Sequence, residues 1–126
     1  MRVLVAGGTG LVGSAIIRKL LDKGYGNITG TYHSRKPQHT APGLDYTPVD
    51  LLDPQAVEEM YDAVHADWVF VAAARVGGII ANNTYRADFL YENLQMQNNL
   101  IHGAWKAGVP KLMFLGSSCI YPKEAP

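Results

Sequence analysis

The run Val3-Leu-Val-Ala-Gly-Gly-Thr-Gly-Leu-Val-Gly13 limits the possible folds of this chain more than any other stretch. Four apolar residues lead directly into a glycine-rich turn, and an amphipathic segment follows. An uninterrupted apolar run of that length reads as a central strand of a parallel sheet, covered on both faces. Gly7, Gly10 and Gly13 stand at GxxGxxG spacing, and Gly8, Gly10 and Gly13 also spell GxGxxG. Three demands account for glycine there: a tight turn, close approach of backbone to a pyrophosphate, and close packing of helix on strand. The amides that open the helix would face the phosphates, and the helix dipole favours their negative charge.

The remaining sequence supplies the context that such a turn needs. Apolar residues recur at helical spacing over 11–23, and Gly24 is a natural stop. Residues 27–33 read as a second strand. Two prolines and a glycine make 34–44 a loop, and 45–49 a third strand. Asp53-Pro54 begins a helix, as N-cap and first helical residue, that runs to Val64. Residues 67–73 form the clearest buried strand. A long helix from Asn83 or Tyr85 to Ala107 ends at Gly108 and Pro110, and 111–115 is a fifth strand. On the long helix Asn93 and Gln97 share a stripe with Phe89, Leu100, Ile101 and Ala104. Asn93 is therefore expected to hydrogen-bond a neighbouring backbone. Met96 and Trp105 read as core or as a helix-pairing surface.

Strands alternating with helices predict an α/β fold, a Rossmann-type doubly wound parallel sheet with strand order 3-2-1-4-5. Its ligand crevice would open between strands 1 and 4, directly over the glycine turn.

At 126 residues there is room for one domain but not for a complete enzyme of this architecture. Hydrophobic residues at 48% and charged residues at 17% are ordinary globular values. Eleven basic and eleven acidic side chains cancel, which gives no electrostatic case for nucleic acid or a membrane surface. The single cysteine, Cys119, excludes an internal disulfide and fits a reducing compartment, so the cytoplasm is expected. His33, His39, His65 and His102 lack metal-ligand spacing, and no metal site is expected.

The choice of dinucleotide turns on the end of strand 2. NAD-specific folds place an acidic residue there, about 20 residues past the glycines, on the ribose 2′-hydroxyl. This chain has Tyr32-His33-Ser34-Arg35-Lys36, with no carboxylate. A guanidinium matches a 2′-phosphate, so the expectation is NADP with Arg35 near that phosphate. The bland alternative is that Arg35 and Lys36 form a solvated basic loop. By position in the fold, Asp50 and Leu51 fall at the adenine edge, while Ala72 and Ala73 let backbone approach the cofactor.

Two stretches carry a more specific resemblance. Ala72-Ala-Ala-Arg-Val-Gly-Gly-Ile-Ile-Ala-Asn-Asn-Thr-Tyr85 and Phe114-Leu-Gly-Ser-Ser-Cys-Ile-Tyr-Pro-Lys123 resemble the GDP-L-fucose synthase family. Those enzymes are GDP-4-keto-6-deoxymannose 3,5-epimerase-4-reductases of the extended short-chain dehydrogenase/reductase superfamily. The resemblance implies that Gly7, Gly8, Thr9, Gly10, Leu11, Val12 and Gly13 hold the pyrophosphate of NADPH. It implies that Leu115, Gly116, Ser117 and Ser118 line the nicotinamide end. Ser117 would polarise the C4 carbonyl of a GDP-4-keto-6-deoxy-hexose. Cys119 would serve as an acid/base group in epimerisation, whereas a lone cysteine is otherwise a small buried hydrophobe.

In this family the proton donor is a Tyr-x-x-x-Lys pair on the helix after the strand 5 loop; Tyr121 lies in that loop with Ala125 four residues on, and is not that tyrosine. The expectation is an N-terminal NADP-binding domain, truncated before that helix and the substrate-binding portion. By itself it would be inactive and marginally stable; its full-length parent would be a homodimer. Two other readings stay open: another NAD(P)-dependent sugar-nucleotide epimerase or dehydratase, and a non-catalytic dinucleotide-binding sensor module.

Overall fold

The computed structural model describes residues 1–74, 86–116 and 122–124. Strand β1, Val3–Ala6, has all four side chains fully buried, as a strand with neighbours on both edges and cover on both faces must. Helix α1, Leu11–Asp22, turns Gly13, Ile17 and Leu20 inward. It stops where Gly24, at φ +89°, returns its amide to the Leu21 carbonyl. Strands β2, Ile28–Tyr32, and β3, Leu44–Pro48, follow. Helix α2, Pro54–Val64, begins as its sequence requires, with the Asp53 carboxylate accepting from the Gln55 amide at 3.0 Å. Strand β4, Trp68–Val71, helix α3, Arg86–Lys106, and strand β5, Lys111–Phe114, complete the described chain.

The five strands are parallel and ordered β3-β2-β1-β4-β5, the predicted doubly wound arrangement. Alternate residues of β1 feed two cores. Val3 and Val5 join Ile17, Leu20, Ile28 and Leu44 beneath α1. Leu4 and Ala6 join Val57, Tyr61, Val69 and Leu100 beneath α2 and α3. Strands β2, β4 and β5 are shorter than their predicted runs, and β3 keeps its predicted length but begins one residue earlier.

Helix α3 turns Leu100 and Ala104 of the expected stripe inward but not Ile101. Its buried residues are Leu100, Gly103 and Ala104, and Ile101 is exposed. The cause lies in α2: a Cβ on Gly103 would stand 2.9 Å from the Tyr61 ring, so the missing side chain admits that ring. The Tyr61 hydroxyl then donates to the Leu100 carbonyl at 2.7 Å. Burial pushes its phenol pKa above the ordinary tyrosine range. In this setting Asn99 reaches a neighbouring backbone, donating from Nδ2 to the Leu51 carbonyl at 2.9 Å while its Oδ1 accepts from Gln95. Asn93, the amide expected to make such a tie, is half-buried. Met96 packs against the core, whereas Trp105 is exposed with the His102 ring stacked on it.

Strand β5 pairs with β4 along one edge, and Met113 and Phe114 are exposed. Among the described residues no helix is long and apolar enough to cross a membrane.

Candidate functional site

Each glycine of the turn answers to a distinct contact. Gly7 sits at φ +82°, and a Cβ there would lie 2.7 Å from the Ala73 Cα, so the turn presses directly on the chain leaving β4. A Cβ on Gly13 would stand 1.9 Å from the Gly7 carbonyl oxygen, which brings the start of α1 down onto the turn. Gly10 differs. The one heavy atom within 4 Å of its notional Cβ is the Gly7 oxygen, at 3.4 Å, and the space otherwise is open. Gly10 is also the N-cap of α1, with no side-chain cap and no acidic residue in the first turn. The leading amides, those of Leu11, Val12 and Gly13, therefore lack a side-chain acceptor, which is the arrangement that favours an anion.

The turn forms the floor of a cleft of about 540 Å³ at the carboxyl ends of β1, β2 and β4. Such a volume suits a small-molecule site. Gly7, Thr9 and Gly10 line it from the turn. After β2 the wall is Tyr32, His33, Ser34 and Arg35, a stretch with one guanidinium and no carboxylate. After β3 it is Asp50 and Leu51, and after β4 Ala72 and Ala73. The predicted turn, the Arg35 segment, the Asp50-Leu51 edge and the Ala72-Ala73 edge thus meet around one cavity.

The other predicted residues do not line this cavity or lie outside the described residues. Leu11 and Val12 open α1 with exposed side chains, so their contribution to an anion site is their amides. Gly8 and Gly13 are the buried halves of the turn. Leu115 and Gly116 continue β5 past its last ladder pair and are exposed. Ser117, Ser118 and Cys119 lie outside the described residues.

Sequence reading missed four residues at or beside the cleft. Glu92 and Met96 line it from α3. Their spacing marks one helical face, but only the packing of the helix shows which face meets the cleft. Asn99 fixes the Asp50-Leu51 edge by holding the Leu51 carbonyl, and Asp50 braces the same loop by accepting from the Leu52 amide at 3.1 Å. Thr31, in the body of β2, lines the cleft and contacts the turn itself. Its one sequence signal is a hydroxyl in a strand otherwise destined for burial.

A diphosphate fits what is present. The uncapped amides face it, the missing Gly10 side chain leaves room for it, and Arg35 supplies a cation along the same wall. Two acidic residues, Asp50 and Glu92, also line the cleft. Among the described residues no group of His, Cys, Asp and Glu could hold a metal ion.

Comparison with known proteins agrees with this geometry. The model of the NAD dependent epimerase/dehydratase family matches residues 3–126. GDP-L-fucose synthase 1 of Arabidopsis thaliana is 48% identical over 125 residues, 99% of this chain and 35% of its own length. The GDP-L-fucose synthase of Escherichia coli (strain K12) is 45% identical over 124 residues, 98% of this chain and 35% of its own. The chain thus spans about a third of the length of these curated relatives. Among solved structures, MlghC, a GDP-mannoheptose C4 reductase from Campylobacter jejuni with NADP bound, superposes with a TM-score of 0.79. It is 34% identical, covering 99% of this chain and 33% of its own.

Proposed function

This chain belongs to the NAD dependent epimerase/dehydratase family, and on that premise we propose that it is the NADP-binding portion of a GDP-L-fucose synthase. Its substrate would be a GDP-4-keto-6-deoxy-hexose, epimerised at C3 and C5 and reduced at C4. The observation that carries the cofactor assignment is the wall after β2. Arg35 lines the cleft where a carboxylate would otherwise meet a ribose 2′-hydroxyl, and Tyr32, His33 and Ser34 bring no negative charge. Relatives at 45–48% identity bear the name GDP-L-fucose synthase, which supports the substrate class.

The parts divide the work. The amides of Leu11, Val12 and Gly13 take the pyrophosphate, with Gly7, Gly8, Thr9 and Gly10 shaping the bed beneath it. Arg35 holds the 2′-phosphate as a bidentate cation, and Asp50 with Leu51 bounds the adenine. Ala72 and Ala73 keep the β4 side low. Leu115, Gly116 and Ser118 border the nicotinamide end. When bound, the dinucleotide supplies the hydride. Ser117 donates a hydrogen bond to the C4 oxygen, where negative charge develops, and Cys119 moves protons at the carbons beside the ketone. The parent protein is a cytoplasmic homodimer in this reading.

Calorimetric titration of the chain with NADPH and NADH tests the assignment. NADPH should bind tighter by roughly tenfold or more, the value of a charge-assisted contact, and Arg35→Ala should abolish that preference. Tighter binding of NADH would overturn it.

A further inference from the structure

Thr31 holds its hydroxyl where a parallel strand normally carries an aliphatic group. Its side chain is 1% exposed, and among the described residues it is the one polar or charged residue buried to that degree. Valine has the same shape, suits a buried strand better and carries no hydroxyl to desolvate. The hydroxyl must therefore do something that a methyl could not.

Two hydrogen bonds show what that is. The Gly7 amide donates to Thr31 Oγ1 at 2.9 Å, and the next amide, that of Gly8, donates to the Thr31 carbonyl at 2.8 Å. One residue of β2 thus accepts from two consecutive amides of the turn. The backbone half of this clamp is open to any residue, but the side-chain half needs a hydroxyl. Around it the turn is pinned by contact alone. Gly7 abuts Ala73, and Gly8 lies over Gly30, whose Cα would be 2.9 Å from a Cβ on Gly8. Contacts of this kind stop the turn from moving inward. The Gly7 and Gly8 bonds to Thr31 resist its lifting outward, toward the cleft, and of the two only the Gly7 bond depends on the side chain.

We propose that Thr31 is a positioning residue for diphosphate binding: its hydroxyl holds Gly7, and through it the turn, at the height that presents the α1 amides to the ligand. This rests on the dinucleotide reading above. Because the amides must be in place before the anion arrives, the cost of ordering them is met on folding rather than on binding. The clamp acts on the pyrophosphate alone and has no part in holding the adenosine end.

The test is Thr31→Val in the full chain, with Thr31→Ser beside it. NADPH and adenosine 2′-phosphate, which lacks the pyrophosphate, are titrated against each, and amide exchange at Gly7 and Gly8 is followed by NMR without ligand. Thr31→Val should weaken NADPH by roughly tenfold and leave adenosine 2′-phosphate unchanged. Exchange should quicken at Gly7 more than at Gly8, and Thr31→Ser should restore both readouts. A partly unfolded variant would lower both affinities by the same factor, so the ratio reads the turn and not the fold. Equal losses for the two ligands, undiminished NADPH binding, or unchanged exchange at Gly7 would overturn the proposal. If the parent chain bound neither ligand the dinucleotide reading would fall, and with it the role in binding.

Discussion

Two alanine substitutions three residues apart should fail in opposite ways. At Gly13 a methyl would stand 1.9 Å from the Gly7 oxygen, where real Cβ contacts are essentially never below 3.0 Å. The turn or the helix must therefore retreat by about 1 Å, and overpacking of that kind costs about 1–3 kcal/mol. Movement of the turn also threatens the Gly7 and Gly8 bonds to Thr31, each worth about 1 kcal/mol. Against this, alanine inside a helix gains about 1 kcal/mol over glycine. The net expectation for Gly13→Ala is a loss of about 2 kcal/mol. At Gly10 the methyl meets only the Gly7 oxygen, at 3.4 Å, and otherwise enters the cleft. Loss of a glycine N-cap costs about 0.5–1 kcal/mol, so Gly10→Ala should fold nearly as well as the parent and lose NADPH. Urea unfolding followed by circular dichroism, at unchanged m-value, measures the first effect, and NADPH titration the second. A Gly13→Ala chain as stable as the parent would refute the packing argument. A Gly10→Ala chain that kept its NADPH affinity would refute the placement of the diphosphate.

Tyr61→Phe should destabilise by about 1 kcal/mol, the value of its bond to Leu100, and should also change the alkaline limb. Its phenol is raised in the folded chain, so its contribution to stability is full below the ordinary tyrosine value of about 10. That contribution falls as pH rises from there through the folded value. Parent and variant stabilities should therefore converge above about pH 10, and a gap that held constant to the alkaline limit would exclude the linkage. Asn99→Ala frees the Leu51 carbonyl and the Gln95 amide. It should cost about 1–2 kcal/mol and weaken adenosine 2′-phosphate, whose edge it loosens. Undiminished affinity in a destabilised chain would show that Asn99 braces the fold without shaping the site.

The fold was legible because parallel strands buried on both faces announce themselves as unbroken apolar runs. Val3–Ala6 and Trp68–Val71 needed no context, and glycine marked the ends of α1 and α3, whereas α2 stops on His65 at φ +51°. The cleft was legible to the same depth. Turn, Arg35, Asp50-Leu51 and Ala72-Ala73 all sit at strand ends, and strand order alone brings strand ends together. The setting of α3 was legible in part, in Leu100 and Ala104 but not in Ile101. Its apolar residues admit more than one inward face, and the deciding contact is Gly103 against Tyr61, a pair on different helices.

Hydrogen bonds to backbone follow the same division. The Asp53 cap joins residues two apart, and its spacing declares it. Thr31 reaches Gly7 across 24 positions, and Asn99 reaches Leu51 across 48. Here the partner is a main-chain atom, which leaves no trace in residue type at its own end. Only the polar member of each pair is visible, as a hydroxyl or amide in an apolar setting. A buried polar group must find a partner, so such a residue is a reliable sign that some backbone is being held. For Thr31 and Asn99 the held backbones belong to two of the loops that bound the cleft, the glycine turn and the Asp50-Leu51 edge. The polar residues that break the hydrophobic pattern of β2 and α3 thus anchor the walls of the site from behind.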